Sequence, residues 1–148
     1  ALINKIVRAS KFNQGFVTVE FTAAALLDMD WHVLETPTEL DVIKFENNTA
    51  KKIGLLPEIS FRYRTTYFNR IFASDYSAGY YSYLWAEVLD ADAFEAFKEK
   101  GIFDKKTAQS LRDNILSKGG SEEGMAMYKK FRGKDPDIKP LLKRRGII

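Results

Sequence analysis

The sequence predicts an all-α fold made of several short helices. Helix-capping residues recur along the chain, and apolar residues follow them at steps of three and four. The 11 Phe, 7 Tyr and 2 Trp among 148 residues provide enough large apolar side chains for a sizeable core. Because this length is close to the typical size of about 150 residues per domain and no linker interrupts the chain, we expect residues 1–148 to form a single domain.

A helix with a well-marked start is predicted in the first half of the chain. Thr36 and Glu39 have the spacing of a capping box, with Pro37 at the first helical position. Apolar residues follow at helical spacing up to Gly54, a residue that commonly ends helices. These features predict a helix over 37–53.

Two other stretches of the first half have ambiguous patterns. Residues 16–22 alternate with the period of a strand, whereas residues 23–27 are rich in Ala and Leu and favour a helix. We interpret 16–34 as one buried helix. Residues 58–72 are compatible with either an extended or a helical conformation.

The sequence of the second half predicts a series of helices with capping residues at their starts. Residues 76–99 carry an apolar stripe at helical spacing, in which Asp92 is positioned to cap a second short helix. Further helices are expected to begin at Asp104, Ser121 and Asp135-Pro136, and to end at Gly119-Gly120 and Gly133.

The residue composition excludes several kinds of site. With no Cys there is no disulfide framework, thiolate zinc site or cysteine nucleophile, and with one His there is no two-His metal site. Asp28 and His32 are spaced to share a helix face, but no third ligand is in register, so we interpret His32 as a partly buried, hydrogen-bonded residue. No stretch approaches about 18 apolar residues, so we expect no membrane partner.

Positive charge is concentrated near the end of the chain. The formal net charge is +3, but residues 129–145 alone carry +6 and residues 1–128 sum to −3. We interpret the basic segment as a solvated helix face rather than a site for nucleic acid or acidic lipid. Residues 61–70 interleave Arg with aromatic residues, as single-strand nucleic-acid sites do, yet no binding motif frames them.

Four tyrosines lie within eight residues: Tyr76, Tyr80, Tyr81 and Tyr83. Each buried phenol needs a hydrogen-bond partner, and the small residues 77–79 between them permit a mobile or closely packed backbone. The residues alone leave two interpretations open: a loop that presents phenol donors to a substrate, or the aromatic start of a helix.

Several ordered segments carry a resemblance to a known family. The most specific is Gly79 to Val88, and the others are residues 9–16, 24–29, 119–123, 131–136 and 141–146. Together they resemble the thimet-oligopeptidase family of zinc metallopeptidases over most of the chain, and within it the bacterial peptidyl-dipeptidases. The resemblance implies a nearly all-helical fold, which favours the helical interpretation of 16–34.

The resemblance also implies that this chain is the C-terminal part of a larger enzyme. Family members bind zinc through a His-Glu-x-x-His helix that precedes the matching part, and this chain has no His-Glu pair. Zinc is therefore expected in the full-length parent and not in this chain, which by itself should be inactive. The implied partners are short peptide substrates and the missing N-terminal part of the enzyme. The implied location of the enzyme is the cytoplasm.

By position, the resemblance assigns roles to residues of the tyrosine-rich stretch. Tyr83 is the implied catalytic donor to the oxyanion, and Tyr76, Gly79 and Tyr80 are implied to bind substrate or shape the loop. Arg70 stands where relatives usually have His, and we expect it to bind a substrate carboxylate or carbonyl. The chain also has Ala73-Ser74-Asp75 where relatives have a glycine-rich turn.

Two functions of other classes remain as alternatives. One is a non-catalytic helical interaction module that docks through the basic C-terminal helix. The other is a single-strand nucleic-acid binder that uses the Arg/aromatic stretch 61–70. A His-Glu-x-x-His motif encoded upstream of Ala1 would select the peptidase.

Overall fold

The computed structural model describes residues 2–36 and 39–148, and every regular element within these ranges is helical. The prediction of an all-α fold is confirmed. The elements are α1 (Leu2–Ser10), α2 (Gln14–His32), α3 (Val42–Lys52), a 3₁₀ turn (Thr65–Tyr67), α4 (Asn69–Phe72), α5 (Ser82–Lys100), α6 (Lys105–Leu111), a π-helical segment (Arg112–Leu116), α7 (Gly124–Arg132) and α8 (Lys139–Arg145).

The chain divides into two compact units, Ala1–Trp85 and Ala86–Ile148. The first turn of α5 falls in the first unit and the rest of that helix in the second. Whether the chain is one domain stays a prediction. Within the described ranges, none of the helices combines the length and apolar character needed to cross a membrane.

Helix α2 carries much of the buried surface of the first unit and confirms the prediction of one continuous helix in 16–34, although it ends at His32 and is buried on one side only. Ala23, Ala24, Ala25 and Leu27 are buried. The strand-like alternation of residues 16–22 is misleading because apolar side chains there, such as that of Val17, are exposed on the helix surface rather than packed on one face of a sheet.

The small residues of α2 let bulky side chains approach its backbone closely. Ala24 and Ala25 form a buried cluster with Phe68, Ile71 and Tyr80. Burying a large apolar side chain stabilises the fold by about 1.5–3 kcal/mol relative to leaving it exposed. This cluster therefore fixes α4 and the residues before α5 against α2.

Helix α3 begins later than the sequence predicts. Pro37 and Thr38 lie outside the described residues, but Glu39 and Leu40 are not helical and the helix starts at Val42. The predicted start at 37 is wrong because Asp41 is the N-cap: its carboxylate accepts a hydrogen bond of 3.0 Å from the amide of Lys44.

The segment between α3 and α4 is mostly irregular, apart from the 3₁₀ turn, and is anchored by polar contacts. Glu46 of α3, fully buried, accepts a hydrogen bond from the backbone amide of Thr65. The indole of Trp31 donates to the Thr65 hydroxyl at 3.0 Å and stacks on Phe45, with ring centroids 3.8 Å apart. These contacts hold the chain that leads into α4.

The second unit contains one long helix where the sequence predicts two. Helix α5 runs uninterrupted past Asp92, which is buried in its interior and accepts a hydrogen bond of 2.5 Å from the Tyr128 hydroxyl. The side chain of Arg132 approaches the same carboxylate at 3.3 Å. The predicted cap at Asp92 is wrong because one carboxylate oxygen, Oδ2, is engaged by side chains of α7 rather than by local backbone amides. The other oxygen, Oδ1, is buried and accepts no hydrogen bond from the described residues.

The remaining helix starts are partly as predicted. Asp104 caps α6 by accepting from the amide of Thr107 at 2.8 Å, which confirms that prediction. The cap of α7 is Glu123 rather than Ser121, because its longer carboxylate reaches two amides, those of Met125 and Ala126. Gly133 ends α7 in the left-handed conformation, as expected of a C-terminal glycine.

Candidate active site

Residues 76–83, which we name the tyrosine loop, lie between α4 and α5 and include the first two residues of α5. The rings of Tyr76 and Tyr83 stack with centroids 5.2 Å apart and planes inclined by 7°. The residues alone leave open whether this stretch is a loop or the start of a helix, and the structure shows hydrogen-bonded turns that precede α5. Ala78 has φ +52°, which a continuous helix does not allow, so turns rather than two helical turns bring the rings into contact.

Arg70 of α4 lies against both phenols. Its guanidinium donates a hydrogen bond of 2.8 Å to the Tyr83 hydroxyl and lies 5.8 Å from the centroid of the Tyr76 ring. The residue after Arg70, Ile71, is fully buried and holds α4 in place. The structure therefore gathers three predicted site residues, Arg70, Tyr76 and Tyr83, into one cluster.

The proton arrangement of this cluster follows from its hydrogen bonds. The contact with the Tyr83 hydroxyl is the main cause that raises the pKa of the Tyr76 phenol. The Tyr83 oxygen accepts from Arg70, and because a guanidinium has no acceptor atom, the proton of the Tyr83 hydroxyl is not used in that contact. The arrangement presents one phenol donor backed by a cation.

Tyr80 and Gly79 are placed differently from the cluster. Tyr80 is buried, with its ring stacked on Phe21 at 5.0 Å and edge-on to Phe68 at 5.0 Å, and burial raises the pKa of its phenol. A Cβ added to Gly79 would meet its nearest neighbour, the Tyr76 carbonyl oxygen, at an ordinary 3.5 Å. The left-handed residue of the loop is Ala78. Substrate binding by Tyr80 and Gly79 stays a prediction.

A residue that the sequence suggests only as a possible metal ligand anchors the tyrosine loop. Asp28 of α2 is fully buried, and its two carboxylate oxygens accept from the amides of Ala78 at 3.0 Å and Tyr80 at 2.9 Å. The signal in the sequence is an acid between Leu27 and Met29 in an apolar stretch, because a buried carboxylate needs partners. Which partners it finds depends on tertiary structure.

Nearly the whole chain matches a family of peptidases. The model described as Peptidase family M3 matches residues 1–147. The chain belongs to Peptidase family M3. It is 42% identical over 148 residues to the dipeptidyl carboxypeptidase of Escherichia coli (strain K12) and 39% identical over 147 residues to oligopeptidase A of the same organism. The predicted family membership is confirmed.

The relatives of this M3 chain are much longer than the chain itself. Each of the two alignments covers 99% of the chain and 22% of the relative. A protein of Arabidopsis thaliana named probable cytosolic oligopeptidase A is 34% identical over 149 residues, covering 97% of the chain and 21% of the relative. The chain therefore spans about a fifth of the length of the curated relatives that it matches.

The described part of the M3 chain does not form a metal centre. Within residues 2–36 and 39–148, no three His, Asp or Glu side chains are grouped so as to hold a metal ion. His32 is partly buried, with Nδ1 2.8 Å from the Asp28 carbonyl oxygen and 2.8 Å from its carboxylate, which confirms the interpretation of a hydrogen-bonded histidine. These residues do not fit a zinc site, and metal binding by the chain alone stays untested.

The basic groups of the M3 chain are extensively paired with its own carboxylates. Arg62 contacts Glu20 at 3.3 Å, and Arg64 contacts the buried Glu46 at 3.1 Å. In the second unit the arginines of the basic segment pair with α5: Arg132 with Glu99, Arg144 with Asp90, and Arg145 with Glu87. This pairing favours the interpretation of the basic segment as a helix face over a nucleic-acid site.

Proposed function

We propose that this chain is the part of a peptide-hydrolysing M3 peptidase that supplies the tyrosine loop to the active site. The observation that carries the proposal is the cluster of Arg70, Tyr76 and Tyr83, in which the guanidinium donates to the oxygen of one phenol and the ring of the other phenol stacks on it. The substrates are short peptides, in line with relatives named dipeptidyl carboxypeptidase and oligopeptidase A.

Tyr83 is the proposed oxyanion donor. When water adds to a peptide carbonyl, negative charge develops on the carbonyl oxygen, and a preorganised donor aimed at that oxygen lowers the barrier. Because Arg70 donates to the Tyr83 oxygen and cannot accept, the Tyr83 hydroxyl keeps its proton to donate to that charge. The nearby guanidinium strengthens the donor because it withdraws electron density from the phenol oxygen.

Arg70 and Tyr76 are the proposed substrate-binding groups beside it. Arg70 is exposed, and no carboxylate within the described ranges forms an ion pair with it, so no anion competes for its remaining N–H groups. A guanidinium matches a carboxylate in two-point geometry. We therefore assign it the C-terminal carboxylate of the peptide, with Tyr76 contacting the bound peptide beside it.

Zinc is proposed for the full-length parent only. The described residues do not fit a metal site, so the metal and the groups that hold it are assigned to the part of the enzyme outside this sequence. We also propose a cytoplasmic location, on the strength of the relative named as cytosolic.

The partner that completes the site is proposed to be the missing part of the same enzyme. Helix α1 has no buried residue, and its apolar side chains Leu2, Ile3, Ile6 and Val7 lie on one face and are exposed. Isolated helices shorter than about 12–15 residues are marginal in water. An apolar nine-residue helix therefore needs a cover, and the unmatched four-fifths of the parent is long enough to provide it.

The test compares the chain with its parent. Purified 1–148 should bind no stoichiometric zinc and cleave no peptide, whereas the full-length parent should cleave short peptides and lose this activity to a metal chelator. Chelator-sensitive hydrolysis by 1–148 alone would contradict the proposal that the metal and its ligands lie in the other part of the parent. A parent without a His-Glu-x-x-His motif and without peptidase activity would overturn the proposed function itself.

A further inference from the structure

We infer that Asp28 is a positioning residue that holds the tyrosine loop in its reactive shape. This inference rests on the proposed function only for its catalytic consequence, because the contact itself is a property of the fold. Asp28 lies on α2, about fifty residues away in sequence from the amides it binds.

The carboxylate of Asp28 is committed to the loop. It is fully buried; Oδ1 accepts from the Ala78 amide at 3.0 Å and Oδ2 from the Tyr80 amide at 2.9 Å. The remaining close polar contact is His32 Nδ1, 2.8 Å from Oδ1. A buried carboxylate is tolerated where its oxygens are paired, and here two of the partners are loop backbone rather than a counter-charge on a neighbouring helix.

These two hydrogen bonds hold a backbone that is unfavourable by itself. Ala78 has φ +52°, a left-handed conformation that costs free energy in residues with a Cβ. A second contact acts on the same turn, since the Ser77 hydroxyl donates to the Ile71 carbonyl at 2.6 Å. Without Asp28, Ala78 would relax toward negative φ and the amides at 78 and 80 would lose their common acceptor.

The loop transmits this anchoring to the site. Tyr80 follows Ala78 by two residues, and its ring contacts that of Tyr83 with centroids 5.4 Å apart. Tyr76 precedes the left-handed residue by two positions and stacks on Tyr83. Fixing residues 78 and 80 therefore fixes both sides of the phenol pair without Asp28 touching a substrate, which makes it a positioning rather than a catalytic residue.

The helix itself offers a matched control, Asp30. It lies two residues later on α2 and is also largely buried, but it accepts from Thr49 at 2.8 Å and from Lys52 at 2.6 Å, both on α3. Asp28→Asn replaces one acceptor oxygen with an amide that donates, so one loop amide loses its partner. Asp30→Asn makes the same chemical change away from the loop.

The first measurement is amide hydrogen exchange of Ala78 and Tyr80 by NMR in the full chain. In the wild type we expect both amides to exchange at least about 100-fold more slowly than in an unstructured peptide, and Asp28→Asn to accelerate them about 10-fold or more. Asp30→Asn should leave them within about two-fold. Unprotected wild-type amides would overturn the inference even if Asp28→Asn does not fold, and so would equal exchange in the two variants.

The second measurement is turnover by the full-length parent. Asp28→Asn should lower kcat by about 10- to 100-fold through misplacement of the phenols, and Asp30→Asn should leave it within about two-fold. Adding Ala78→Gly to Asp28→Asn should restore part of the lost kcat, because glycine adopts positive φ readily. A normal kcat in Asp28→Asn, or no recovery in the double variant, would contradict the positioning role.

The two measurements separate this inference from the proposed function. If the parent is not a peptidase, no variant changes a peptidase activity, but the exchange of Ala78 and Tyr80 still reports whether Asp28 holds the loop. If the parent is a peptidase and Asp28→Asn alters exchange without altering kcat, the proposed function stands and the inference about Asp28 fails.

Discussion

The guanidinium of Arg70 donates a hydrogen bond of 2.8 Å to the hydroxyl of Tyr83, thirteen residues further along the chain. One residue lies on α4 and the other at the start of α5, so the tyrosine loop closes between them. Because Tyr76 stacks on Tyr83 and lies beneath the same guanidinium, the contact ties a cation and two phenols into one group. The predictions for the first unit concern this group and the helices that support it.

Replacing Arg70 tests its assignment to the substrate carboxylate. Arg70→Met keeps the length of the side chain but removes its charge and donors. A hydrogen bond to a charged group contributes about 1.5–3 kcal/mol, so the parent's preference for peptides with a free C-terminal carboxylate over amidated ones should fall about 10-fold or more. The measurement is kcat/KM for a matched pair of peptides.

Arg112→Met is the control for this experiment, since Arg112 is an exposed arginine of the second unit. It should leave the preference unchanged. An Arg70→Met parent that still discriminates fully between the two peptides would show that another group binds the carboxylate.

Helix α3 allows a test of its observed cap against the predicted one. Asp41→Ala removes the side chain that accepts from the Lys44 amide and should lower the free energy of unfolding by about 1 kcal/mol. Thr36→Ala, at the predicted capping position, should change it by less than about 0.5 kcal/mol. Urea unfolding of both variants decides between the two starts, and the reverse ranking would place the helix start at the capping box.

The buried pair of Asp92 and Tyr128 is expected to stabilise the second unit. Tyr128→Phe removes the hydroxyl that donates to Asp92 and leaves a buried carboxylate oxygen short of a partner. The expected cost is about 1–3 kcal/mol in the free energy of unfolding, measured with urea. Tyr81→Phe, which alters an exposed tyrosine, is the control and should be nearly neutral; equal effects would mean that the contact contributes little.

The basic segment is expected to bind nucleic acid weakly. Its arginines at 132, 144 and 145 are paired with carboxylates of α5. Binding of a single-stranded oligonucleotide, measured by fluorescence anisotropy, should therefore have a dissociation constant above about 1 μM at physiological salt and weaken steeply as salt rises. Submicromolar binding that persists at this salt concentration would support the nucleic-acid alternative.

Local signals in the sequence predict many of the helices but few of the long-range contacts that hold the helices together. The glycine at 133 and the Asp104 cap act within a few residues, and both predictions are confirmed. Asp92 has the local pattern of a cap, but its partners Tyr128 and Arg132 lie about forty residues away and contact one of its carboxylate oxygens in a helix interior. A short-range pattern cannot show whether an acid will find a long-range partner.

In the candidate site, too, the sequence predicts local features but not the contacts between distant residues. The tyrosine-rich stretch identifies the phenols, and the structure brings Tyr76 and Tyr83 together. The left-handed turn at Ala78 that does so could not be predicted, because such a turn is usually indicated by glycine and this position is alanine. The role of Asp28 is likewise invisible, because the amides that it binds are backbone groups common to every residue. The roles of Tyr76 and Tyr83 in catalysis stay predictions.

The central claim, that Tyr83 donates to the oxyanion, is tested most directly by the kinetics of Tyr83→Phe in the full-length parent. This change deletes only the hydroxyl, and we predict that kcat falls about 10²- to 10³-fold while KM changes little, because the donated bond strengthens at the transition state. Tyr76→Phe should act more mildly, and Tyr81→Phe should match the wild type. A Tyr83→Phe parent with unchanged zinc content and normal kcat would contradict the claim and reduce Tyr83 to a packing residue.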